Sequence, residues 1–280
     1  MNIIRKPEWL KTKLGAAGDY TKVKHIVETH HLNTICKSGE CPNMGECWGR
    51  GTATFLILGN ICTRACKFCN VLTGKPLPVD WDEAHRVAAS INLMMLKHAV
   101  ITSVDRDDLD DFGAAFWGHT IKSIKQKNPA TTLEVLVPDF QGNKLCIDKV
   151  IDARPEIISH NLETVKHLTP LIRTKAQYSI SLEVISHIAK SGITAKSGIM
   201  LGLGETEKEI LETMDDLLTA GCKVMTIGQY LQPTRKNIAV KDYIHPDKFN
   251  EYKKIGLKKG FRKVESAPLV RSSYHAEEHI

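Results

Sequence analysis

The chain of 280 residues has no stretch approaching the roughly 18 consecutive apolar residues that a membrane-spanning helix needs. Its start, MNIIRKPEWLKTKLG, lacks the apolar segment and small-residue cleavage site of a secretory leader. A cytoplasmic protein without a membrane partner is therefore expected. Aromatic residues make up only 6% of the sequence and the net charge is a modest +6. That falls short of the dense basic footprint of a nucleic-acid binder, so no nucleic acid is expected as partner. There is no low-complexity segment and no internal repeat of the kind that builds solenoids. None of the 12 histidines falls in an H-E-x-x-H pair, which removes that zinc-hydrolase motif. GLGE at 202–205 stops short of G-x-G-x-x-G. It does not license a dinucleotide fold and leaves only close backbone approach by a cofactor.

What the sequence does have is hydrophobic residues at 42% and eight cysteines. The first suffices for one large core. The second, in a reducing compartment, favours metal ligation or redox chemistry over disulfides. The sharpest basic run, KKIGLKKGFRK at 253–263, reads as a solvated helix face or as a dock for an acidic protein surface.

From residue 53, short β-branched runs alternate with segments of helical period. Strands are expected at 53–58, 98–104, 132–137, 156–161, 197–203 and 223–228. Helices are expected at 82–96, 113–127, 144–153, 162–173, 179–191 and 206–220, the last opening with Thr206 and Glu209 at capping-box spacing. Six such alternations imply parallel strands with helical crossovers. Periodicity does not separate a barrel from an open doubly wound sheet. A cysteine-bearing loop after the first strand favours the barrel, whose chemistry sits at the carboxyl ends of its strands. Residues 1–52 and 229–280 read as extensions around the unit 53–228.

On that first loop, GNICTRACKFCN places Cys62, Cys66 and Cys69 in a C-x3-C-x2-C spacing. Three thiolates can hold three corners of a cubane iron-sulfur cluster and leave the fourth iron open to a small molecule. A zinc site around Cys66 and Cys69, or a redox thiol pair, competes with this reading. Zinc ribbons, however, normally carry two C-x2-C knuckles, and only one is present. Upstream, CKSGECPNMGECWG supplies a second set of three, Cys36, Cys41 and Cys47. Cys146 and Cys222 stand alone in apolar contexts and read as buried small hydrophobes.

With Phe68 before the last cysteine, the first triad resembles the signature of radical S-adenosylmethionine (radical SAM) enzymes. The second triad, with RKPEWLK, CPNMGECW, ITSVDRDDL, HNLETV, KSGIMLGLGE, TIGQYLQPT and PLVRSSYHA, narrows the resemblance to the lipoyl synthase family, nearly end to end. Asn70 stands where that family often has aspartate.

The resemblance implies a partial (β/α)6 TIM-like barrel of the radical SAM type with terminal extensions. It implies two [4Fe-4S] clusters and S-adenosylmethionine as cofactors. Cys62, Cys66 and Cys69 would hold the cluster that binds S-adenosylmethionine and yields the 5′-deoxyadenosyl radical. Cys36, Cys41 and Cys47 would hold an auxiliary cluster that donates sulfur, with a serine of the RSSY motif as its fourth ligand, Ser273 or alternatively Ser272. Arg271 would neutralise that cluster's charge or line the substrate tunnel. The implied reaction inserts sulfur at C6 and C8 of an octanoyl-lysine chain and consumes two S-adenosylmethionine molecules. The chain would be carried by lipoyl domains of 2-oxoacid dehydrogenases or by glycine-cleavage H protein, with a low-potential electron donor as further partner.

Residues expected around S-adenosylmethionine are Phe68, Asn70, Thr102, Ser103, Asp105, Asn161, Glu163 and Arg173, with ordinary loop capping as the competing role. His160 sits at a strand end as a packed or cavity-facing residue, and His275 follows RSSY. Two rival functions remain. One is sulfur insertion of the biotin synthase kind, whose auxiliary ligands would come from the barrel interior. The other is a non-enzymatic iron-sulfur or zinc module, for which the alternating strands would have no purpose.

Overall fold

The first long apolar run folds as a strand, Thr54–Ile57, buried at every position. A strand covered on both faces needs such a run, and buried parallel sheets are made of them. The computed structural model describes residues 5–11, 19–50 and 52–280. The opening residues 1–4, on which part of the leader reading rests, and 12–18 of the N-terminal extension lie outside the described residues.

The main sheet holds eight strands. These are β1 (Asn33–Thr34), β2 (Thr54–Ile57), β3 (His98–Ser103), β4 (Thr132–Leu136), β5 (Ile157–Ser159), β6 (Thr194–Leu201), β7 (Val224–Gln229) and β8 (Lys263–Ser266). They lie side by side in chain order, with β1 and β8 at the edges, so the barrel is not closed. All neighbours are parallel except β1, which runs antiparallel to β2. The register sets Thr54 beside Val100, Val100 beside Glu134, Glu134 beside Ile157, and Ser159 beside Lys196.

Helices α1 (Glu83–Leu93), α2 (Ala114–Lys127), α3 (Lys144–Ile151), α4 (Tyr178–Lys190), α5 (Glu207–Thr219) and α6 (Pro246–Lys259) each connect two parallel strands from β2 onward. The core lies between them and the sheet, with Phe55, Ile101, Trp117, Ile121, Leu133 and Val135 wholly removed from solvent. Each such side chain contributes about 1.5–3 kcal/mol of transfer free energy. Cys146 and Cys222 are buried, as small hydrophobes should be. Among the described residues no helix is long and apolar enough to cross a membrane.

Two expectations need correction. The alternation extends one unit further than residue 228, because α6 and β8 add a further helix and strand inside 229–280. The lysine-rich α6 buries only Phe249, Tyr252 and Gly256, and β8 (KVES) is buried at alternate positions only. Neither carries a strong apolar period. Within that basic run Lys253, Lys259 and Lys263 are paired with Glu265, Asp215, and Glu265 and Glu278 respectively, which fits the solvated face. The expected helix at 162–173 is helical only over Thr169–Ile172. Glu163 there adopts φ +66° and bridges to Ile199, because this stretch is spent on the site described next.

The capping box on α5 is present: Thr206 Oγ1 accepts from Glu209 N, and the Glu209 carboxylate accepts from Thr206 N at 2.8 Å. Thr206→Ala should cost about 1 kcal/mol, read as a lower urea midpoint at unchanged slope.

Candidate active site

The loop carrying the first cysteine triad begins where β2 turns sharply, with Leu58 at φ +66° and Gly59 at φ +89°. Its backbone is tied at several points. Thr63 N donates to Asp105 O, Lys67 N to Ile172 O and Gly74 N to Cys62 O, at 3.1, 2.8 and 3.0 Å. Asn237 Nδ2 donates to Cys69 O at 2.8 Å. At its centre is Arg64, between Cys62 and Cys66 and nearly inaccessible. Its guanidinium grips Asp107 through Nε and Nη2, both at 2.8 Å, and Asp139 through Nη1 and Nη2 at 2.9 and 2.7 Å. Asp105 lies 3.3 Å from Nε.

These are two bidentate forks, the strongest geometry available to an arginine and a carboxylate. Burial opposes ionisation of Asp107 and Asp139, but the Arg64 hydrogen bonds overcome it and hold both carboxyls below the usual range. Asp105 is instead pushed up by its own burial, with Arg64 opposing. Sequence reasoning does not single out Arg64. The available signal is its place inside the cysteine spacing.

Above the strands' carboxyl ends lies a cavity of about 600 Å³. Cys62, Cys66 and Cys69 line it, as do Phe68, Asn70, Thr102, Ser103, Asp105, Asn161, Glu163 and Arg173. The expected residues around S-adenosylmethionine are thus brought to one space. Among the described residues Asn161 Oδ1 and Ser103 Oγ are buried there without a partner, polar atoms of the kind a polar ligand satisfies. Asn70 Nδ2 is used to hold Ser38 O at 3.2 Å, which fastens the N-terminal segment to the loop. Across the cavity Val100, Leu136, Val137, Ile199 and Val270 supply an apolar wall.

Cys36 and Cys41 face this cavity and, with Cys47, also line an adjoining space of about 60 Å³. Ser273, Thr54 and Arg271 border both spaces. Ser273 Oγ accepts from Thr54 Oγ1 at 2.8 Å. The neighbouring Ser272 is outside the smaller space, and its Oγ accepts from Asn161 Nδ2 at 2.6 Å. Of the two serines, Ser273 is the one that lines the space shared by all three cysteines of the second triad. Among the described residues Arg271 has no carboxylate partner, and its Nη1 donates to Val270 O. A cation so placed beside three thiols fits an anionic cluster.

The donor chemistry points the same way. Burial pushes Cys62 and Cys47 up to about 12 and Cys69 up to about 11. Redox thiols need the opposite shift, whereas bound iron would keep these sulfurs as thiolates. Among the described residues no three His, Cys, Asp or Glu side chains converge on one ion.

Of the roles open to His160 the packed one holds, and the reading of GLGE changes. His160 lines the cavity but is fully engaged, Nδ1 with Val137 O and Nε2 with Ser181 Oγ, both at 2.9 Å. GLGE does not border the cavity. A Cβ at Gly202 would meet Gln229 Nε2 at 2.2 Å and Asp242 O at 2.4 Å, so the glycine serves packing. Close approach at the cavity belongs instead to Gly198 and Gly228.

An open barrel of parallel strands with three thiols on the loop after its first parallel strand is the arrangement of radical SAM enzymes. The family described as "Radical SAM superfamily" matches residues 56–217. Solved structures with this fold include SuiB of Streptococcus suis bound to S-adenosylmethionine, with a TM-score of 0.62 at 10% identity, covering 81% of this chain and 54% of that one. HydG, a maturase of the [FeFe]-hydrogenase, has a TM-score of 0.58 at 12% identity, covering 91% and 57%. Within the class, a lipoyl synthase of Phocaeicola vulgatus is 65% identical over 100% of this chain and 99% of its own length. One of Bacteroides fragilis is 67% identical over 99% and 96%, and one of Treponema denticola 60% over 99% and 95%. The chain belongs to the lipoyl synthase family, and its superfamily implies S-adenosylmethionine and a [4Fe-4S] cluster.

Arg64→Ala would leave the buried Asp139 without its countercharge and Asp107 with the more exposed Lys175 at 3.4 Å. The expected cost is about 3–5 kcal/mol, measured by urea denaturation of the metal-free protein under anaerobic conditions. A cost below about 1 kcal/mol would reduce the network to the value of a surface ion pair.

Proposed function

We propose that this chain inserts two sulfur atoms, at C6 and C8, into an octanoyl group carried on a lysine of a lipoyl domain or glycine-cleavage H protein. Two S-adenosylmethionine molecules are consumed, and a low-potential donor supplies electrons. The observation that carries the reading is one apolar-walled cavity bordered by Cys62, Cys66 and Cys69 and by Cys36 and Cys41, with Cys47 and Ser273 lining the space that adjoins it. Cys62, Cys66 and Cys69 hold one [4Fe-4S] cluster, and Cys36, Cys41, Cys47 and Ser273 hold the auxiliary one. When bound, the first cluster and S-adenosylmethionine supply a hydrogen-abstracting radical, and the auxiliary cluster supplies sulfur.

The chain's own residues do the rest. Thr102, Ser103, Asp105, Asn161, Glu163 and Arg173 orient the methionyl and ribose groups, with Phe68 and Asn70 shaping the loop beside them. The apolar wall receives the octanoyl chain and excludes water from it. Arg271 offsets the auxiliary cluster's charge. Ser273 would offer iron an oxygen ligand in place of a thiolate, a poorer match and so a weaker hold.

In this reading residues 1–52 bring the auxiliary cysteines, 53–228 the radical machinery, and 229–280 the RSSY closure. The eight free cysteines suit a reducing cytoplasm. A biotin synthase type of reaction is disfavoured because the auxiliary ligands come from both terminal segments and not from inside the barrel.

Anaerobically reconstituted protein, given S-adenosylmethionine, reductant and octanoylated lipoyl domain, should add two sulfurs to the domain by intact mass and release 5′-deoxyadenosine. Cys66→Ala should abolish both products. Ser273→Ala should retain 5′-deoxyadenosine while losing sulfur addition by more than tenfold, since only the second site is damaged. Abundant 5′-deoxyadenosine beside an unchanged domain in the unmodified enzyme would show that the substrate is another.

A further inference from the structure

Beneath the cavity, two charged residues sit in the middle of otherwise apolar strands. Glu134 on β4 and Lys196 on β6 are both fully buried, and their side chains meet across the intervening β5. Lys196 Nζ donates to Glu134 Oε1 and Oε2 at 2.7 and 2.9 Å. The same ammonium lies 2.6 Å from Ser272 O and 2.9 Å from His279 Nδ1. An ammonium has three protons and no acceptor site, so they are shared among four acceptors, and His279 Nδ1 must present its lone pair.

A buried ion pair is a poor source of net stability, because desolvation consumes most of its attraction. Its use here is seen in what else it touches. Both contacts beyond Glu134 are to the last residues of the chain, and Ser272 is bonded directly to Ser273. That segment has further ties: Asn43 Nδ2 donates to Leu269 O at 2.7 Å, Asn161 Nδ2 donates to Ser272 Oγ at 2.6 Å, and nearer the surface Arg262 Nη2 donates to His279 O and Lys263 pairs with Glu278 at 3.0 Å. Gly228 lets Val270 O come within 2.1 Å of where a Cβ would stand. A hydroxyl ligand competes with water for iron, so the serine's hold depends on how firmly its backbone is kept in place.

We propose that Lys196, balanced by Glu134, is a positioning residue that grips the Ser272 carbonyl and the His279 imidazole and so sets Ser273 Oγ against Cys36, Cys41 and Cys47. This rests on Ser273 being the auxiliary ligand. The pair acts on the site without bordering it as a ligand, and the tail is the element it controls.

The test uses the full chain with Cys62, Cys66 and Cys69 replaced by alanine, so that iron-57 loads only the auxiliary site. Mössbauer spectra and hydrogen exchange of residues 270–280 are compared for this parent, for Ser273→Ala, and for the double substitution Lys196→Met with Glu134→Leu. Exchanging a buried pair for apolar residues of similar volume is often neutral or stabilising, which offsets the two tail acceptors left unpaired, so the double variant should fold and keep its iron. It should lose most of the oxygen-ligated iron signal, as Ser273→Ala does. Its 270–280 amides should exchange about tenfold or more faster, the effect of losing charge-assisted hydrogen bonds.

A folded double variant with the oxygen-ligated signal and tail exchange of the parent would overturn the proposal. If Ser273→Ala itself leaves the spectrum unchanged, the ligand reading fails first and the positioning role falls with it. Should the double variant not fold, His279→Ala leaves the ion pair intact. It should speed exchange at the tail about threefold through the lost contact, and unchanged exchange would overturn the proposal equally.

Discussion

Four charge-assisted hydrogen bonds from one guanidinium hold the loop on which the first cysteine triad sits. Arg64 joins the turn after β2 to Asp107 after β3 and to Asp139 after β4. Three separate loops at the carboxyl ends of neighbouring strands thereby become one body. A radical chemistry needs its reacting groups fixed and water kept away, and a loop with three free thiols would otherwise have many conformations to choose among. The forks are buried, so competition from water is small and the geometry persists.

The second triad is built on a different principle. Cys36, Cys41 and Cys47 come from short helices and turns before the first parallel strand, while Ser273 comes from the last turns of the chain. Neither segment has a large core of its own. They are held by point contacts: Asn70 to Ser38, Asn43 to Leu269, Thr54 to Ser273, and the Lys196 ammonium to Ser272 and His279.

Much of this architecture is legible in local sequence patterns. The strand at 53–58, the helix at 206–220 with its Thr206 and Glu209 cap, and burial of Cys222 all follow from patterns that tertiary packing does not disturb. The stretch at 162–173 misleads because its apolar period is real, yet Glu163 is diverted into a left-handed turn to bridge Ile199 beside the cavity. The strand at 263–266 escapes periodicity because four residues with alternating burial at the sheet's edge give almost no periodic signal.

By itself the sequence determined that thiols at x3 and x2 spacing follow a buried strand, that a second triad precedes it, and that helices and parallel strands alternate. These are local facts, fixed by the reach of a few residues and by the periods of helix and strand. Only the tertiary structure decided that Ser273 and not Ser272 lines the small space shared by Cys36, Cys41 and Cys47, that Arg64 binds two carboxylates, and that Lys196 reaches Glu134 and the last residues. Each of those pairs residues far apart in sequence. Their meeting depends on strand order and register, which place Glu134 and Lys196 on one inner face and bring the tail against it.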